Sequence, residues 1–155
     1  AQDELAAESH RRAARATQEG RFEGQIVPTE VKQKRDTVHF KTDEHVRPDA
    51  TLESLAKLRP VFDQGGTVTA GNASGLNDAA AALVLMERSA AEARGLKPMA
   101  RLVAYAFAGV DPKYMGIGPV PVIKELYDKT GLGNDDMDVI ELNEAFAAQA
   151  LAVVK

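Results

Sequence analysis

Three runs of strand length, each followed by a helical stretch, dominate the second half of the sequence. The runs are residues 82–86, 101–107 and 138–142. A strand that is buried on both faces reads as a nearly continuous apolar run, because neither of its faces meets water. The helical stretches are residues 89–94, residues 121–129, and a terminal helix that follows Asn143. This alternation of strands and helices predicts an α/β fold.

The first half of the sequence has a different character. An alanine- and charge-rich helix is predicted over residues 2–19 and is stopped by Gly20. Short strands are predicted at residues 25–27 and 37–40, and Thr51 is a favourable N-cap for a short helix over residues 52–58. The change from this pattern to the α/β pattern predicts a boundary between two structural units near residues 65–75.

Composition excludes several classes of function. The chain has 19 basic and 23 acidic residues, a net charge of −4, which argues against general binding of nucleic acid. It has no cysteine, which excludes disulfides, thiolate metal sites and a cysteine nucleophile among these residues. The three histidines, His10, His39 and His45, lack closely spaced ligand partners, so no metal site is predicted. No apolar run approaches membrane-spanning length, and a cytoplasmic setting is expected.

One candidate binding segment is the small-residue sequence AGNASGLNDAAAA at residues 70–82. No bulky side chain stands between Gly71 and Gly75, so a ligand can lie against the backbone there. The hydroxyl of Ser74 can hydrogen-bond to an amide or a phosphate. The alternative is a tight packing turn, and composition alone favours that alternative.

Two further segments are candidates, MGIGPVP at residues 115–121 and ELNEAFAAQA at residues 141–150. Met115 is a flexible apolar side chain suited to lining a pocket, but the residues alone favour a loop that begins a helix, with Met115 as a core methionine. Asn143 follows a predicted strand, the end at which α/β sheets bind ligands, and its amide could orient a water or polarise a carbonyl. Its alternative role is the N-cap of the terminal helix, with Glu144 suited to the helix dipole, and the residues alone favour the cap.

Taken together and in order, these segments resemble the thiolase family, that is, the acetyl-CoA acetyltransferases and 3-ketoacyl-CoA thiolases. The resemblance covers essentially the whole chain and includes ESHRRAARA, GQIVP, DEHVRPDATLESLAKLRPVF and GVDPKYMGIGP. Asn143 followed by Glu, Ala and Phe is typical of thiolases proper, because sterol-carrier-type relatives place histidine first. Residues 8–14, 57–62 and 115–121 are similar to bacterial β-ketothiolases, which points to fatty-acid or polyhydroxyalkanoate metabolism.

The resemblance implies an α/β fold and a position within it. Thiolases consist of two similar α/β/α/β/α halves with a loop domain inserted in the first. Residues 1–75 resemble the C-terminal part of that loop domain, residues 76–100 the end of the N-terminal half, and residues 101–155 the start of the C-terminal half. Because the sequence starts and stops within predicted helices, we expect a fragment of a longer polypeptide.

The resemblance also implies roles for individual residues. Ser74 matches the serine that hydrogen-bonds the pantetheine arm of coenzyme A, and Arg47 matches a basic position near the nucleotide end. Asn143 matches the catalytic asparagine that holds a water in the first oxyanion hole. The remaining matched positions line the substrate tunnel; they are Ala70, Ala73 and Leu76 beside the pantetheine arm, Ser54 and Phe62 along the tunnel, and Met115 and Phe146 near the acyl group.

The implied reaction is acetyl transfer between acyl-CoA molecules, by condensation of acetyl-CoA or thiolysis of a 3-ketoacyl-CoA. A cysteine thiolate carries the acetyl group and a second cysteine moves the α-proton. Acyl-CoA is a substrate, no permanently bound cofactor is implied, and the family forms homodimers or homotetramers. Because these residues include no cysteine, we expect no activity from the chain alone. The alternatives are a non-catalytic coenzyme A-binding module and a proteolytic fragment without function.

Overall fold

The alanine- and charge-rich segment at the start of the chain forms the longest helix, α1 (Gln2–Gln18). Acidic residues in its first turn and Arg15 in its last turn suit the helix dipole. Hydrogen bonds from Arg11 and Arg12 lower the pKa of Glu8 to about 2. Gly20 follows with a φ of 69°, in the left-handed region that favours glycine. The prediction of a helix that ends before Gly20 is confirmed.

In this computed structural model, which describes residues 1–155, the chain divides into two units. The first unit is Ala1–Gly75 together with Glu144–Leu151, and the second is Leu76–Asn143 together with Ala152–Lys155. The buried residues of the first unit are few, and its core is built from small residues around one leucine. They are Ala6, Leu55, Thr69, Asn72, Ala147 and Ala150.

Strands β1 (Thr29–Gln33) and β2 (Asp36–Phe40) form an antiparallel hairpin in the first unit. Gln33 pairs with Asp36, so the connection is a two-residue turn, and Lys34 takes a φ of 56° within it. The predicted strand at residues 37–40 is confirmed as part of β2. The predicted strand at residues 25–27 is wrong, because the turn places the partner of β2 further along the chain.

Helix α2 (Leu52–Leu55) is a single turn with a complete capping box. The Thr51 hydroxyl accepts a hydrogen bond from the Ser54 backbone N–H (3.1 Å), and the Ser54 hydroxyl accepts one from the Thr51 N–H (3.0 Å). Thr51 is therefore the N-cap, as predicted. The helix is shorter than the predicted range of residues 52–58.

The helices of the second unit are α3 (Arg88–Ala93) and α4 (Pro119–Thr130), with 3₁₀ turns at Pro112–Ile117 and Asn134–Asp136. Both predicted helices are confirmed, and α4 begins at Pro119 rather than at residue 121. The chain leaves α4 through Gly131, whose φ of 70° is left-handed. No helix of the chain combines the length and the apolar character that crossing a membrane requires.

The three apolar runs do not form strands, and this part of the prediction is wrong. The only sheet pairs β1 with β2. A strand exists only where a neighbouring strand accepts its backbone hydrogen bonds, and no such neighbour pairs with these runs here. Apolar side chains of these runs are consequently exposed to solvent: Leu83 is 89% exposed, Phe107 83% and Val139 76%.

Helix α5 (Ala147–Val154) is the terminal helix predicted after Asn143, but Asn143 does not cap it. The N–H of Ala150 donates to the carbonyl of Phe146 (2.9 Å), so the helix begins four residues after Asn143. The cap prediction is wrong because Phe146 is held in an antiparallel bridge to Ala73, which keeps the backbone extended up to that point.

Replacing Gly131 with Ala tests the end of α4. We expect Gly131→Ala to lower the free energy of unfolding by about 1–2 kcal/mol, because a Cβ disfavours the left-handed conformation. Gly109→Ala is the matched control: its Cβ also meets nothing within 4 Å, and its φ is not positive. Urea unfolding followed by circular dichroism measures both variants, and equal losses would contradict the interpretation.

Candidate functional site

The loop at residues 67–75 is shaped by the side chain of Asn72, which is only 4% exposed. Its Oδ1 accepts a hydrogen bond from the backbone N–H of Thr69 (2.9 Å). Its Nδ2 donates to the carbonyl of Thr67 (3.0 Å) and to Oδ1 of Asp3 (2.9 Å). Because Asp3 lies on α1, one buried amide both folds the loop and attaches it to the helix.

Gly71 allows the same loop to approach α2 closely. A Cβ at this position would lie 2.4 Å from Cδ2 of Leu55 and 2.6 Å from Cδ1 of Leu58. Both distances are far shorter than a carbon–carbon contact of about 3.5–4.0 Å. Glycine is required here by packing, since its φ is not in the left-handed region.

Backbone hydrogen bonds join the loop to the segment that starts α5. Ala73 and Phe146 form an antiparallel bridge, and the N–H of Ser74 donates to the carbonyl of Ala145 (2.9 Å). The N–H of Ala147 donates to the carbonyl of Asn72 (2.9 Å). These bonds place Ser74, with an exposed side chain, beside the start of α5.

A cleft of about 210 Å³ opens within the first unit between α1, the loop and the start of α5. The residues that line it are mostly small or apolar, with a few polar side chains among them, as is usual in a ligand site. The lining residues are Leu5, Ala6, Ser9, His10, Ala13, His45, Val46, Gly71, Asn72, Ala73, Ser74, Glu144 and Ala147. The Ser9 hydroxyl donates to Oε2 of Glu144 (2.6 Å) across this cleft.

His10 connects α1 to the segment that carries Arg47. The backbone N–H of Arg47 donates to Nδ1 of His10 (3.2 Å), and the ring of His45 lies 6.1 Å from that of His10, centre to centre. Partial burial lowers the pKa of His10, and the neighbouring His45 and Arg47 lower it further. The neutral imidazole is therefore the favoured form near neutral pH.

The structure brings together several of the residues that the sequence predicts for the site. Ala73, Ser74 and Phe146 are joined through the backbone bonds of the loop. The ring of Phe62 packs edge-on against that of Phe146, with centres 6.0 Å apart. Arg47 directly follows His45 and Val46 of the cleft wall, and its side chain is exposed.

Other predicted residues are placed differently. Ala70 lies in the turn before Gly71 and is exposed, and the Ser54 hydroxyl is engaged by Thr51 in the capping box. Leu76, Met115 and Asn143 belong to the second unit, where each of them is exposed. Their predicted roles in the tunnel and the oxyanion hole remain predictions.

Several residues of the site were not predicted from the sequence. The small-residue pattern of the loop predicts no role for the Asn72 side chain, although an amide flanked by Gly71 and Ala73 is a recognisable signal for a structural hydrogen bond. Ser9 and His10 carry no comparable signal, because their partners lie 135 and 37 residues away.

Asn72→Ala tests the role of the buried amide. We expect a loss of about 1–3 kcal/mol in the free energy of unfolding, because the Thr69 N–H is left buried without an acceptor. Asn77→Ala is the control: Asn77 is exposed, and such a surface change costs within about 0.5 kcal/mol. Urea unfolding measures both, and similar losses would show that the Asn72 network does not organise the loop.

Gly71→Ala tests the close approach of the loop to α2. We expect a cost of about 1–3 kcal/mol in stability, typical of overpacking, because Leu55 and Leu58 must move. Gly24→Ala introduces the same methyl group where nothing lies within 4 Å. Thermal unfolding compares the two variants, and a stable Gly71→Ala protein would contradict the packing argument.

Most of the sequence matches known protein families. Residues 1–89 match the family described as thiolase, N-terminal domain, and residues 96–155 match thiolase, C-terminal domain. Beta-ketothiolase BktB of Cupriavidus necator is 64% identical over 155 residues, which are 99% of this chain and 39% of that protein. An acetyl-CoA acetyltransferase of Escherichia coli is 54% identical over 154 residues, with 99% and 39% covered.

Solved structures agree with these matches. The crystal structure of the Bacillus anthracis acetyl-CoA acetyltransferase aligns with a TM-score of 0.94 at 54% identity, over 98% of this chain and 39% of that chain. Human mitochondrial 3-ketoacyl-CoA thiolase aligns with a TM-score of 0.86 at 45% identity, over 98% and 38%. The chain thus spans about 39% of the length of the curated relatives it matches. The expected fragment of the thiolase fold is confirmed, and this chain belongs to the thiolase family.

Proposed function

We propose that this chain forms the coenzyme A-binding part of a thiolase that transfers acetyl groups between acyl-CoA molecules. The observation that carries the proposal is the bonding of the 67–75 loop to the start of α5. It holds Ser74 beside Phe146, two positions that the family resemblance assigns to substrate binding. The reaction is either condensation of acetyl-CoA or thiolysis of a 3-ketoacyl-CoA, in fatty-acid or polyhydroxyalkanoate metabolism of the cytoplasm.

The chemistry of coenzyme A fits the residues of the first unit. Its pantetheine arm is a slender chain with two amides, which a serine hydroxyl and small neighbours accommodate. The exposed Ser74 supplies the hydroxyl, and Ala73 supplies a small neighbour. Phe62 and Phe146 form an aromatic pair suited to the apolar stretch of the arm. The guanidinium of Arg47 suits a phosphate of the nucleotide end.

The boundary between the two units after Gly75 supports the first division in a family-based assignment of domains. We assign residues 1–75 to the C-terminal part of the loop domain and residues 76–100 to the end of the N-terminal half. Residues 101–155 begin the C-terminal half. Within that half, Asn143 would hold the oxyanion-hole water, and Met115 would contact the acyl group. A homodimer or homotetramer is the assembly proposed for the complete protein.

Catalysis requires a nucleophile that these residues do not contain. Acyl transfer proceeds through a thiolate that attacks the thioester carbonyl and expels the thiolate of coenzyme A, so the acetyl group rests on the enzyme. The sequence has no cysteine, so the thiolate must come from sequence outside these 155 residues. The same observation favours the second candidate, a module that binds coenzyme A without catalysis.

Binding of coenzyme A to the purified chain, measured by isothermal titration calorimetry, tests the proposed roles. We expect Ser74→Ala to weaken binding roughly three- to tenfold, and Arg47→Ala to weaken it at least about tenfold, because hydrogen bonds to charged groups contribute more. Ser89→Ala and Arg101→Ala, both at exposed positions of the second unit, are the matched controls. Binding that is unchanged by Ser74→Ala and Arg47→Ala would refute the assignment.

A chimera separates the two candidate functions. In it, this chain replaces the homologous 155 residues of Cupriavidus necator beta-ketothiolase BktB, to which it is 64% identical. We expect the chimera to cleave acetoacetyl-CoA and the isolated chain not to do so, because the isolated chain has no cysteine to form the acyl-enzyme thioester. A chimera that folds and binds coenzyme A but has no activity would favour the binding module. Thiolysis by the isolated chain would contradict the need for an external nucleophile.

A further inference from the structure

One hydrogen bond ties the segment that carries Arg47 to α1. The backbone N–H of Arg47 donates to Nδ1 of His10 at 3.2 Å, across 37 residues of sequence. His45 and Val46, which precede Arg47, line the same cleft as His10. The position of the Arg47 backbone therefore depends on the imidazole of His10.

This hydrogen bond requires a neutral imidazole. A nitrogen that accepts a hydrogen bond carries no proton, so the single proton of the neutral ring is on Nε2. When the ring takes up a second proton, Nδ1 becomes a donor and faces the donor N–H of Arg47. The interaction then changes from attraction to repulsion.

The surroundings of His10 oppose its protonation. On the facing segment, His45, whose ring centre is 6.1 Å away, and Arg47 oppose protonation of His10, whereas Asp49 favours it. Other nearby carboxylates are already engaged: Glu144 accepts from Ser9, and Glu8 on α1 accepts from Arg11 and Arg12. On α2, Glu53 pairs with Lys57 at 2.8 Å.

We propose that His10 is a positioning residue that holds the 45–47 segment in place for coenzyme A binding, and that protonation of its ring at acid pH releases the segment. The proposal rests on the proposed function only in the role given to Arg47. Because folding lowers the pKa of His10 below its ordinary value of 6.5, the unfolded chain binds this proton more readily. The stabilisation is complete above pH 6.5 and is lost as the pH falls below that value.

Two variants and a control test the proposal. His10→Asn keeps an acceptor near the position of Nδ1 but cannot titrate, and His10→Phe removes the acceptor. His39→Asn is the control, because His39 is an exposed histidine of β2. The dissociation constant for coenzyme A is measured between pH 5 and 8, and hydrogen exchange of the Arg47 amide is followed by NMR under the same conditions.

We expect His10→Asn to match the unmodified chain at pH 8 and His10→Phe to bind roughly three- to tenfold more weakly, the effect of one hydrogen bond. Phosphate groups themselves titrate near pH 6, so the difference between the profiles of the unmodified chain and His10→Asn is the readout. Below pH 6.5 we expect the dissociation constant for coenzyme A to be larger for the unmodified chain than for His10→Asn. Equal acid profiles for these two proteins would overturn the proposal.

Exchange of the Arg47 amide distinguishes this inference from the proposed function. If no form of the chain binds coenzyme A, the proposed function fails, but the amide still reports on the hydrogen bond. Protection that falls with acid in the unmodified chain and His39→Asn, yet persists in His10→Asn, supports the positioning role. Protection that is the same in His10→Asn and His10→Phe at every pH refutes it.

Discussion

The hydrogen bonds of Asn72, a buried residue, are the interactions on which the first unit depends. The side-chain amide of Asn72 joins the 67–75 loop to Asp3 of α1. The backbone carbonyl of Asn72 accepts a hydrogen bond from the N–H of Ala147, the first residue of α5. A buried amide whose donors and acceptor are satisfied is stabilising, whereas the same group unsatisfied would be costly. This asymmetry favours the observed path of the loop over any path that leaves these groups unpaired.

Gly71 complements that network by removing bulk where the loop meets α2. The polar network determines where the loop goes, and the missing Cβ allows Leu55 and Leu58 to pack directly on its backbone. Ser74 lies three residues after Gly71, and both the polar network and the close packing fix its position. The proposed substrate contact is thus held by structure that does not itself touch the substrate, which is how a site is kept in a productive geometry.

The first unit and the absence of cysteine imply a division of labour in the proposed reaction. Recognition of coenzyme A needs a hydroxyl, small apolar walls and a cation, and the chain contains these in Ser74, Ala73 and Arg47. Acyl transfer needs a thiolate, which the chain does not contain. The proposed positioning of Arg47 by His10 adds a titratable group to this proposed recognition site, apart from the reacting groups.

Predictions from sequence succeeded where the physical cause is local. The sequence predicts Thr51 as an N-cap and Gly20 as a helix end, because capping and left-handed φ values depend on a few neighbouring residues. The runs at residues 82–86 and 101–107 have the composition of strands but are not strands here. Pairing is a long-range condition, and local composition expresses only a preference for it.

The sequence by itself determined most of the helices, the lack of cysteine and, through motifs in a characteristic order, the thiolase family. These follow from residue identity and short-range order alone. Only the tertiary structure decided that Asn72 is the centre of the loop, that Gly71 is required by packing, and that His10 supports Arg47. Each of these depends on a contact between residues far apart in the chain, and such contacts form only when the separate segments have packed together.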